Sequence, residues 1–594
     1  MAAVELRISS GIFARVRHTY GRNSNIFLAK NVPAPVRRYA QSPAVEYHTL
    51  QWRRSFGSLN TKFLSARHVH TTSSPMERTL AAGNSEATQA MQQHWEEVQQ
   101  VAASVRSFHA RGEKFRIFHG STNSTRPTAL GRDPRKVVDT SRLSHVLAID
   151  TKCNPPFALV EPNVPMDQLV EATLEHGLIP PVVMEFPGIT VGGGYAGTAG
   201  ESSSFRHGFF DRTLDAVEMV LANGDVVTCS ETEHADLFRG AGGAVGTFGV
   251  VTMVKLQLRE ARRFVEVTYH PVREGMKEAI AMLQKFSNPV GDVEYLDGIM
   301  FDKSKGAIIT GRLTDSPSPD TPIQRFSGAW DPWFYLHVQS RTASTTPTTD
   351  AVPLPDYLFR YDRGGFWVGR SAYSYFPGVP FNSLTRWFLD DFLHTRMMYN
   401  TLHASGQSER MIVQDLALPY ETAEEFVEFT DERTGIYPLW LCPLKESPGK
   451  TMHPHLQGER KSDEEKGMLN IGLWGLAPST HDGYVRANRD IERKLQELGG
   501  MKWLYAQTFH SEDEFWSDFD RQWYNGLREK YHATGLPNVY EKVKKDEKVV
   551  VKSWKQTIID TWPFSGVYGL AKAIQSGDYV RARKAKWKDW VPRS

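Results

Sequence analysis

The sequence predicts an α+β protein with more than one domain. The chain has 594 residues, which is long enough for two or more hydrophobic cores. Short strand patterns and helical patterns are interspersed from about residue 81 onward, and the glycine-rich character gives way to an aromatic-rich one after residue 263. We therefore expect two mixed α/β domains in succession.

Composition excludes several classes of protein. The net charge of +2 gives no general reason to expect a nucleic-acid partner. Three cysteines without a C-x-x-C spacing argue against a disulfide framework or a zinc site, so we expect no metal and a reducing compartment. No apolar stretch approaches the ~20 residues that a membrane span requires. Contact with a membrane would then be peripheral.

Residues 1–75 differ from the rest of the chain. They are rich in arginine and serine and contain only two acids, Glu5 and Glu46. This composition is typical of a mitochondrial transit peptide, and Arg37-Arg38 lies where a presequence could be cleaved. The alternatives are a disordered tail, or an extension ahead of a true start at Met76. We exclude the segment from the fold.

The first globular elements are a helix over 89–109 and a strand over 114–118, followed by a loop of small and hydroxyl residues at 119–127. Such a loop can direct backbone N–H groups at an anion such as pyrophosphate, although similar clusters also form ordinary loops. Further strands are predicted at 137–139, 146–150 and 157–161, and then a helix over 166–176.

A glycine run follows, with six glycines among residues 187–204. A flexible linker would continue polar on both sides, whereas apolar residues flank this run at 178–183 and 209–210. Glycine costs backbone entropy, so we expect the cluster to provide positive φ angles or close contact with a ligand. The segment predicts a loop that holds a ligand.

Two glycine-rich segments resemble the G-x-G-x-x-G turn of dinucleotide-binding folds, and we predict that neither is one. That turn needs a strand before it, a helix after it and an acidic residue about 20 positions later. The first segment, 192–197, follows a Pro-Gly breaker, and residues 198–204 lack a helical apolar period. The second, 240–246, leads into a strand pattern at 249–258.

The remaining elements follow from local signals. Residues 216–229 read as a β-hairpin turning at Asn-Gly, and 437–443 and 469–475 read as buried strands. We expect an aromatic amphipathic helix over 515–531, a surface loop over 339–355, and a basic tail containing tryptophans after 541. Such a tail could contact an anionic bilayer, but a solvated appendage is the more common case.

In this order, the elements resemble the FAD-binding domain of the vanillyl-alcohol-oxidase (p-cresol methylhydroxylase, PCMH-type) flavoproteins. Within that superfamily, eight blocks of sequence are similar to the Δ24-sterol reductase (Diminuto/seladin) family. These blocks are T-V-G-G at 190–193, G-T and E-S-S-S within 197–204, E-x-V-L-A at 218–222, V-Q-D at 413–415, Y-P-L-W-L-C-P at 437–443, L-Y-A at 504–506, E-F-W at 514–516 and L-R-E at 527–529. The C-terminal blocks are more specific than the glycines.

The resemblance implies a domain organisation. We expect a PCMH-type FAD-binding domain of two α/β subdomains over 85–262 and a mixed α/β substrate (cap) domain over 263–540. The basic tail then covers 541–594, and residues 1–75 form the extension. Animal and plant members carry an N-terminal membrane anchor, for which this sequence shows no apolar span.

The resemblance also implies an activity, which is reduction of the C24=C25 side-chain double bond of a sterol. NADPH would reduce FAD, the alkene would be protonated at C24, and flavin N5 hydride would quench the cation at C25. Such a site needs one proton donor and a dry aromatic pocket. Membrane association at the endoplasmic reticulum is expected by resemblance, with the mitochondrion as the alternative from residues 1–75.

Candidate residues follow from these blocks. We expect Tyr505 to be the proton donor and Asp415 to position or polarise its hydroxyl, although each also has an ordinary structural interpretation. The sequence suggests that Trp440, Trp474 and Trp503 line the sterol pocket, and that His207 contacts the flavin or lies in an exposed turn. The cofactor-binding residues are predicted to be Gly120, Ser121, Thr122, Asn123, Ser124, Thr190, Val191, Gly192, Gly193, Gly194, Tyr195, Ala196, Gly197, Thr198, Ala199, Gly200, Glu201, Ser202, Gly249 and Val250.

The first loop also bears on how FAD is attached. Some members of the superfamily bond FAD through a histidine in an R-G-G-G-H-S pattern. Aligning residues 119–124 with that pattern places Asn123 at the histidine position, and His119 becomes a structural loop residue. Because asparagine has no nucleophilic imidazole, we expect non-covalent FAD.

Two other functions remain open at this stage. One is a flavin oxidase of small alcohols, sugars or aldonolactones, which would pass electrons to oxygen from the same FAD domain. The E-S-S-S and Y-P-L-W-L-C-P blocks argue against it. The other is a flavin-binding scaffold without turnover, which the intact cofactor loops do not favour.

Overall fold

The computed structural model describes residues 85–120, 134–288, 291–373, 379–405, 411–447, 449–456, 467–478, 480–545 and 564–590. All of these residues belong to one compact unit, 69–594. The expectations for residues 1–75 and for Ser121, Thr122, Asn123 and Ser124 lie outside the described residues.

The first part of the described chain is built on a five-stranded antiparallel sheet. Its elements are α1 (Ser85–Ala110), β1 (Arg116–Phe118), β2 (Val137–Asp139), β3 (Val146–Asp150), β4 (Phe157–Val160), α2 (Met166–Leu174), β5 (Leu178–Ile179), α3 (Val191–Gly197), α4 (Ser204–His207), β6 (Leu214–Leu221), β7 (Val226–Ser230), α5 (Ala235–Ala241), β8 (Gly249–Gln257) and β9 (Arg259–Glu260). The sheet has the order β3-β4-β8-β6-β7, while β1 and β2 form a separate parallel pair and β5 pairs with β9.

The hairpin predicted at Asn-Gly is confirmed. β6 and β7 pair antiparallel with Val220 opposite Val226. Gly224 has φ of +89°, in the left-handed region that glycine adopts without strain. A Cβ at Gly224 would also come within 3.0 Å of the Ala102 carbonyl oxygen on α1. The turn therefore requires glycine both for its backbone and for its packing against α1.

A buried ionic contact fastens α1 to the sheet. His94 Nδ1 lies 2.7 Å from Glu161 Oε1, and His94 Nε2 lies 3.1 Å from Glu218 Oε1. Burial opposes protonation of this imidazole, but hydrogen bonding and attraction from the two glutamates outweigh it and raise the pKa of His94 to about 9. His94 is therefore protonated at neutral pH, between two carboxylates.

The second part is built on an eight-stranded antiparallel sheet. Its elements are β10 (Phe264–Val272), α6 (Met276–Phe286), β11 (Tyr295–Met300), β12 (Gly306–Thr314), α7 (Phe334–Arg341), β13 (Thr348–Pro353), α8 (Leu354–Leu358), α9 (Val368–Ala372), α10 (Ser383–Phe388), α11 (Thr395–Ser405), β14 (Met411–Pro419), α12 (Tyr420–Thr434), β15 (Leu439–Lys445), β16 (Gly467–Leu476), α13 (His481–Glu497), β17 (Met501–Lys502), α14 (Glu512–Asp518), α15 (Arg521–Lys530), α16 (Val539–Val543), α17 (Phe564–Ser576) and α18 (Asp578–Lys584). The strand order is β13-β10-β12-β11-β15-β16-β14-β17.

The two faces of the large sheet have different partners. On β16, Leu469, Ile471 and Leu473 point into a core shared with α6, α12 and α13. Met468 and Trp474 point the other way, into a core that also contains side chains of the first part. This alternation is the period of two expected for a strand buried on both faces. The inner face is the one that lies against the first part of the chain.

Two local predictions are wrong. The helix expected over 515–531 is two helices, α14 and α15, because Asp520 starts a new helix by accepting a hydrogen bond from the Trp523 N–H at 2.8 Å. The surface loop expected over 339–355 contains the end of α7 and the strand β13, where Asp350 and Val352 are fully buried. The Ser/Thr/Pro-rich composition of 339–355 gave no indication of the edge strand β13.

The C-terminal segment is not a solvated appendage over its described residues, 564–590. Trp587 is buried at 4 % exposure and packs on Phe359, with ring centroids 5.0 Å apart. The Trp587 N–H donates to Glu171 Oε1 on α2 at 3.1 Å. This segment therefore packs across both parts of the chain.

Candidate active site

The glycine run forms a short helix whose position is set by backbone contacts. The Thr190 hydroxyl caps α3 by accepting a hydrogen bond from the Gly193 N–H at 3.1 Å. The Val191 N–H donates to Val164 O at 2.9 Å, and the Gly192 N–H donates to Pro162 O at 2.7 Å. A Cβ at Gly192 would lie only 2.7 Å from the Pro162 side chain, so glycine is required there.

This geometry differs from a dinucleotide-binding turn, as expected. In the sequence the glycines read as a loop, whereas they are themselves the helix α3, and the preceding strand β5 ends at Ile179, well before it. The helix stops at Thr198, which adopts a left-handed conformation with φ of +60°. Glycine is a poor helix former, so capping and packing determine this segment rather than propensity.

The other side of the glycine helix is open. Gly193 is exposed, and Gly192, Ala196, Gly197, Ala199 and Gly200 keep part of their surface accessible. A Cβ added at Gly197 would meet only the Tyr505 Cβ, at 4.0 Å. A strip with no side chain larger than a methyl group is thus available to a flat ligand. The buried Tyr195 hydroxyl also has no hydrogen-bond partner among the described residues.

A second glycine-containing segment, 240–246, holds α3 in place through backbone hydrogen bonds. The Gly243 N–H donates to Tyr195 O and the Val245 N–H donates to Ala196 O, each at 3.0 Å. Gly243 has φ of +72°, and a Cβ there would collide with the Thr198 hydroxyl. Sequence reasoning only excluded 240–246 as a Rossmann turn and missed this role, although the density of glycines was a visible signal.

Tyr505 and Asp415 lie together against this strip. The Tyr505 hydroxyl donates to Asp415 Oδ2 at 2.6 Å, and Asn470 Nδ2 donates to Asp415 Oδ1 at 3.1 Å. Asp415 is on β14, and the backbone fixes the register of the pair because the Trp503 N–H donates to Asp415 O at 3.1 Å. The two residues that the sequence analysis paired thus form a hydrogen bond with each other.

The pair has unusual protonation properties. Burial raises the pKa of Asp415 to about 6, although the hydrogen bonds from Tyr505 and Asn470 lower it. Burial and the neighbouring Asp415 raise the pKa of Tyr505 well above its usual value. Both side chains nevertheless keep part of their surface accessible. They therefore face an open space deep in the fold, with the phenol neutral and the carboxyl titrating near neutral pH.

Two further ionisable side chains border the same space. Tyr399 on α11 is close enough for its pKa to be raised by Asp415 in addition to burial. The pKa of Glu201 is raised well above its usual value by burial, then by Glu185, with a smaller effect of Asp415. Glu201 was predicted as a cofactor-binding residue. It follows the glycine helix in the chain, and its backbone N–H donates to Ser204 Oγ at 2.9 Å.

Aromatic rings form the next wall of the site. The Trp474 ring lies 5.8 Å from that of Trp440 and 4.4 Å from that of Phe366, measured between centroids. Trp367 packs on Trp474 at 5.5 Å and donates its indole N–H to Trp474 O at 2.9 Å. Trp440 and Trp474 were predicted as pocket residues, and Phe366 and Trp367 were missed.

Trp503 has a different position. Its indole N–H donates to Thr198 O at 2.6 Å, and its ring meets Phe209 edge-on at 6.1 Å. It lies outside the aromatic wall and ties the Tyr505 segment to the end of the glycine helix. The predicted residue is therefore at the site, as a structural link.

A buried ionic network lies behind the aromatic wall. Arg360 Nη2 is 2.8 Å from both Glu185 Oε1 and Asp297 Oδ2. Tyr361 and Trp440 also donate to Asp297 Oδ2, at 2.8 and 3.3 Å. Ser202, another predicted cofactor residue, donates to Glu185 Oε1 at 2.7 Å. The network thus joins the glycine segment to Trp440. Nothing in the sequence pointed to it.

The other predicted residues lie farther from the pair. Gly249 and Val250 begin β8, where a Cβ at Gly249 would lie 2.6 Å from Val220 O, and Val250 is buried beneath α1. The Arg259 guanidinium donates a hydrogen bond to His207 Nε2 at 3.0 Å. Burial, with Arg259 nearby, lowers the pKa of His207 to about 4. Gly120 is exposed with φ of +79° and precedes the loop that is outside the described residues.

Among the described residues, no group of three or more His, Cys, Asp or Glu side chains is arranged to hold a metal ion. No described helix combines the length and apolar character needed to cross a membrane.

Sequence comparison relates this chain to known proteins. A family model described as FAD binding domain matches residues 94–230. The chain is 27 % identical to Delta(24)-sterol reductase of Homo sapiens over 458 residues, which cover 76 % of this chain and 86 % of the relative. It is also 27 % identical to Delta(24)-sterol reductase of Arabidopsis thaliana over 444 residues, covering 69 % and 77 %. The resemblance inferred from the sequence blocks is confirmed.

A third relative limits what the FAD domain alone implies. Cytokinin dehydrogenase 4 of Oryza sativa subsp. japonica is 30 % identical over 162 residues, which cover 26 % of this chain and 29 % of that protein. Similarity to this dehydrogenase is thus confined to about a quarter of the chain. The similarity to the sterol reductases covers three times that share.

Proposed function

We propose that this protein is an FAD-dependent, NADPH-driven reductase of the C24=C25 side-chain double bond of a sterol. One observation carries the proposal. The Tyr505–Asp415 hydrogen bond of 2.6 Å lies beside the open glycine strip, with the Cβ position of Gly197 only 4.0 Å from Tyr505. A proton donor, a place for a flat cofactor and an aromatic wall thus meet in one space.

The residues of the strip fit FAD. Gly193 and Gly197, one helical turn apart, are accessible and would present backbone rather than side chains to the cofactor. When bound and reduced by NADPH, FAD would supply the hydride that the alkene carbon needs. The protein supplies position, a dry environment and the proton.

The alkene must gain a proton because no adjacent carbonyl activates it. Tyr505 would deliver that proton to C24 from its hydroxyl oxygen. The loss of the phenolic proton is then compensated if Asp415, protonated below a pKa of about 6, passes its own proton back along the 2.6 Å hydrogen bond. Asn470 keeps the carboxyl oriented by holding its other oxygen.

The resulting tertiary cation at C25 needs an environment that tolerates positive charge without water. Aromatic ring faces attract cations and exclude water. Trp474, Trp440 and Phe366 provide such faces, and Trp474 lies close enough to Tyr505 to influence the pKa of its hydroxyl. The proposed proton donor is thus next to the wall that would stabilise the cation.

Replacement of Tyr505 by phenylalanine tests the donor. Tyr505→Phe removes the hydroxyl and keeps the ring, so we expect turnover of a Δ24-sterol to fall roughly 10²–10⁴-fold with FAD still bound. Tyr484→Phe is the matched control, because Tyr484 is a buried tyrosine on α13, which packs against the outer face of the large sheet. Full activity of Tyr505→Phe at normal flavin content would contradict the proposed role.

A further inference from the structure

An exposed apolar patch lies beside α10. It consists of Trp330, Leu384, Trp387 and Phe388, with exposed fractions of 63, 61, 39 and 75 %. Leu384, Trp387 and Phe388 have the i, i+3, i+4 spacing that places them on one face of α10. The Trp330 ring stacks on Trp387 with centroids 4.7 Å apart and an interplanar angle of 14°. Apolar side chains this exposed and contiguous mark an interaction surface.

Basic side chains border this patch. Arg583 on α18 pairs with Asp391, with Nε 2.8 Å from Oδ1, three residues beyond Phe388. Arg325, five residues before Trp330, donates to Lys588 O. The C-terminal segment is thereby held next to the apolar patch. Over 578–590 this segment contains five Lys or Arg residues and two Asp residues, and Arg581, Arg583, Lys584 and Lys586 are exposed.

The combination fits a lipid surface better than a protein. A stable protein interface usually involves about 20–30 residues on each side, whereas this patch has four large side chains on one short helix and one loop. Tryptophan, phenylalanine and leucine next to Lys and Arg are the composition of surfaces that enter the headgroup region of anionic bilayers. Asp391 beside the patch is paired with Arg583, and five Lys or Arg against two Asp give segment 578–590 a net charge of +3, which is complementary to such lipids.

We propose that the apolar patch, with the basic segment 578–590, docks this protein on an anionic phospholipid bilayer. Leu384, Trp387, Phe388 and Trp330 enter the headgroup boundary, and the exposed bases contact lipid phosphates. Docking does not depend on the chemistry of the active site. Only its consequence, delivery of an apolar substrate from the bilayer, rests on the proposed sterol activity.

The patch is connected to the active site through the chain. From α10 the chain passes through a 3-10 turn at Asp390–Phe392 into α11. α11 carries Tyr399, which borders the space in front of Tyr505 and Asp415. A bilayer-resident substrate that enters beside α10 would therefore meet the element that bounds the site.

Vesicle flotation of the full chain tests the docking. We expect the protein to float with phosphatidylcholine vesicles that contain phosphatidylserine, and less with phosphatidylcholine alone or at high salt. Leu384→Ser with Phe388→Ser should lower the partition coefficient at least roughly tenfold, without loss of flavin or melting temperature. Trp95→Ser is the control, because Trp95 on α1 is 38 % exposed, close to the 39 % of Trp387.

A second measurement identifies which surface touches the lipid. Brominated phosphatidylcholine quenches tryptophans that enter the bilayer. We expect quenching to fall when both Trp330 and Trp387 are replaced by phenylalanine, and to stay unchanged for Trp95→Phe. Unchanged quenching in the double variant would overturn the proposal. So would unchanged flotation of the Leu384/Phe388 variant, or conversion of a dimer to a monomer by that variant without an effect on lipid binding.

Discussion

At the scale of single residues, the proposed chemistry rests on the Tyr505–Asp415 pair. Asp415 is a carboxyl whose pKa burial raises to about 6, so it changes protonation within the range where enzymes are assayed. Tyr505 keeps its proton over the same range, because burial raises its pKa further. In the proposed mechanism the carboxyl therefore sets the pH dependence of the pair, and the phenol delivers the proton.

This assignment predicts the effect of Asp415→Asn on activity. If proton delivery limits turnover, the rate of the wild-type protein should rise as the pH falls towards 6, because Asp415 then carries the proton that replenishes Tyr505. Asparagine cannot titrate, so the variant should turn over roughly 10²-fold more slowly and lose the inflection near pH 6. Rates measured from pH 5 to 9 test this, and an unchanged inflection in the variant would contradict it.

Asp415→Asn is expected to lower activity but to raise stability. The pKa of Asp415 is higher in the folded state than in an unfolded chain, so its ionised form opposes folding above pH 6. Asp415→Asn should raise the free energy of unfolding at pH 8 by about 1–2 kcal/mol, and the gain should vanish as the pH falls from 6 to 4. Asp320→Asn, at an exposed position, is the control.

Much of this pair could be predicted from sequence, and the surrounding network could not. Tyr505 and Asp415 lie in short blocks that resemble a known family, so they could be named without coordinates. Arg360, Glu185 and Asp297 come from three distant segments, and a buried charge looks like an exposed one in a sequence. Their contacts of 2.8 Å follow only from the tertiary packing.

At the scale of secondary-structure elements, a single buried imidazole links α1 to two glutamates of the first part of the chain. His94 lies between Glu161 and Glu218, and removal of a partner from a buried ion pair leaves uncompensated charge. His94→Gln should therefore lower the free energy of unfolding at pH 6 by about 3–5 kcal/mol. His109→Gln, at an exposed position in the last turn of the same helix, should have little effect.

The pH dependence of this contribution has a definite sign. The pKa of His94 rises from its ordinary 6.5 to about 9 in the fold. Its contribution to stability is therefore complete below pH 6.5 and is lost as the pH rises through 9. Urea unfolding at pH 6, 8 and 10 should show the gap between wild type and His94→Gln narrowing. A gap that widens with pH would contradict this account.

The elements that were predicted wrongly from sequence share one physical cause, which is that contacts with other parts of the chain decide their conformation. The glycine run became helix α3 because Thr190 caps it and neighbouring carbonyls bind its first N–H groups, which propensity does not describe. The strand β13 was hidden in a Ser/Thr/Pro-rich segment because its pairing with β10 decides its conformation. The hairpin at Gly224, in contrast, was predictable because its turn chemistry is local.

At the scale of the whole molecule, the candidate site is formed where the glycine helix meets the inner face of the large sheet. The glycine helix belongs to the first part of the chain, and Asp415, Asn470 and Trp474 come from the inner face of the large sheet. The α+β fold class and the resemblance to the Δ24-sterol reductases could be predicted from sequence. The meeting of these faces could not, because it depends on which side of the large sheet α6, α12 and α13 cover.

The central claim is that one protein carries out both half-reactions, from NADPH to FAD and from FAD to the alkene. The most direct test is anaerobic mixing of the purified protein with NADPH while the flavin absorbance is followed, and then addition of desmosterol. We predict bleaching by NADPH and recovery of the absorbance when the sterol is added. Absence of bleaching, or recovery only after oxygen is admitted, would contradict the reductase and favour a flavin oxidase.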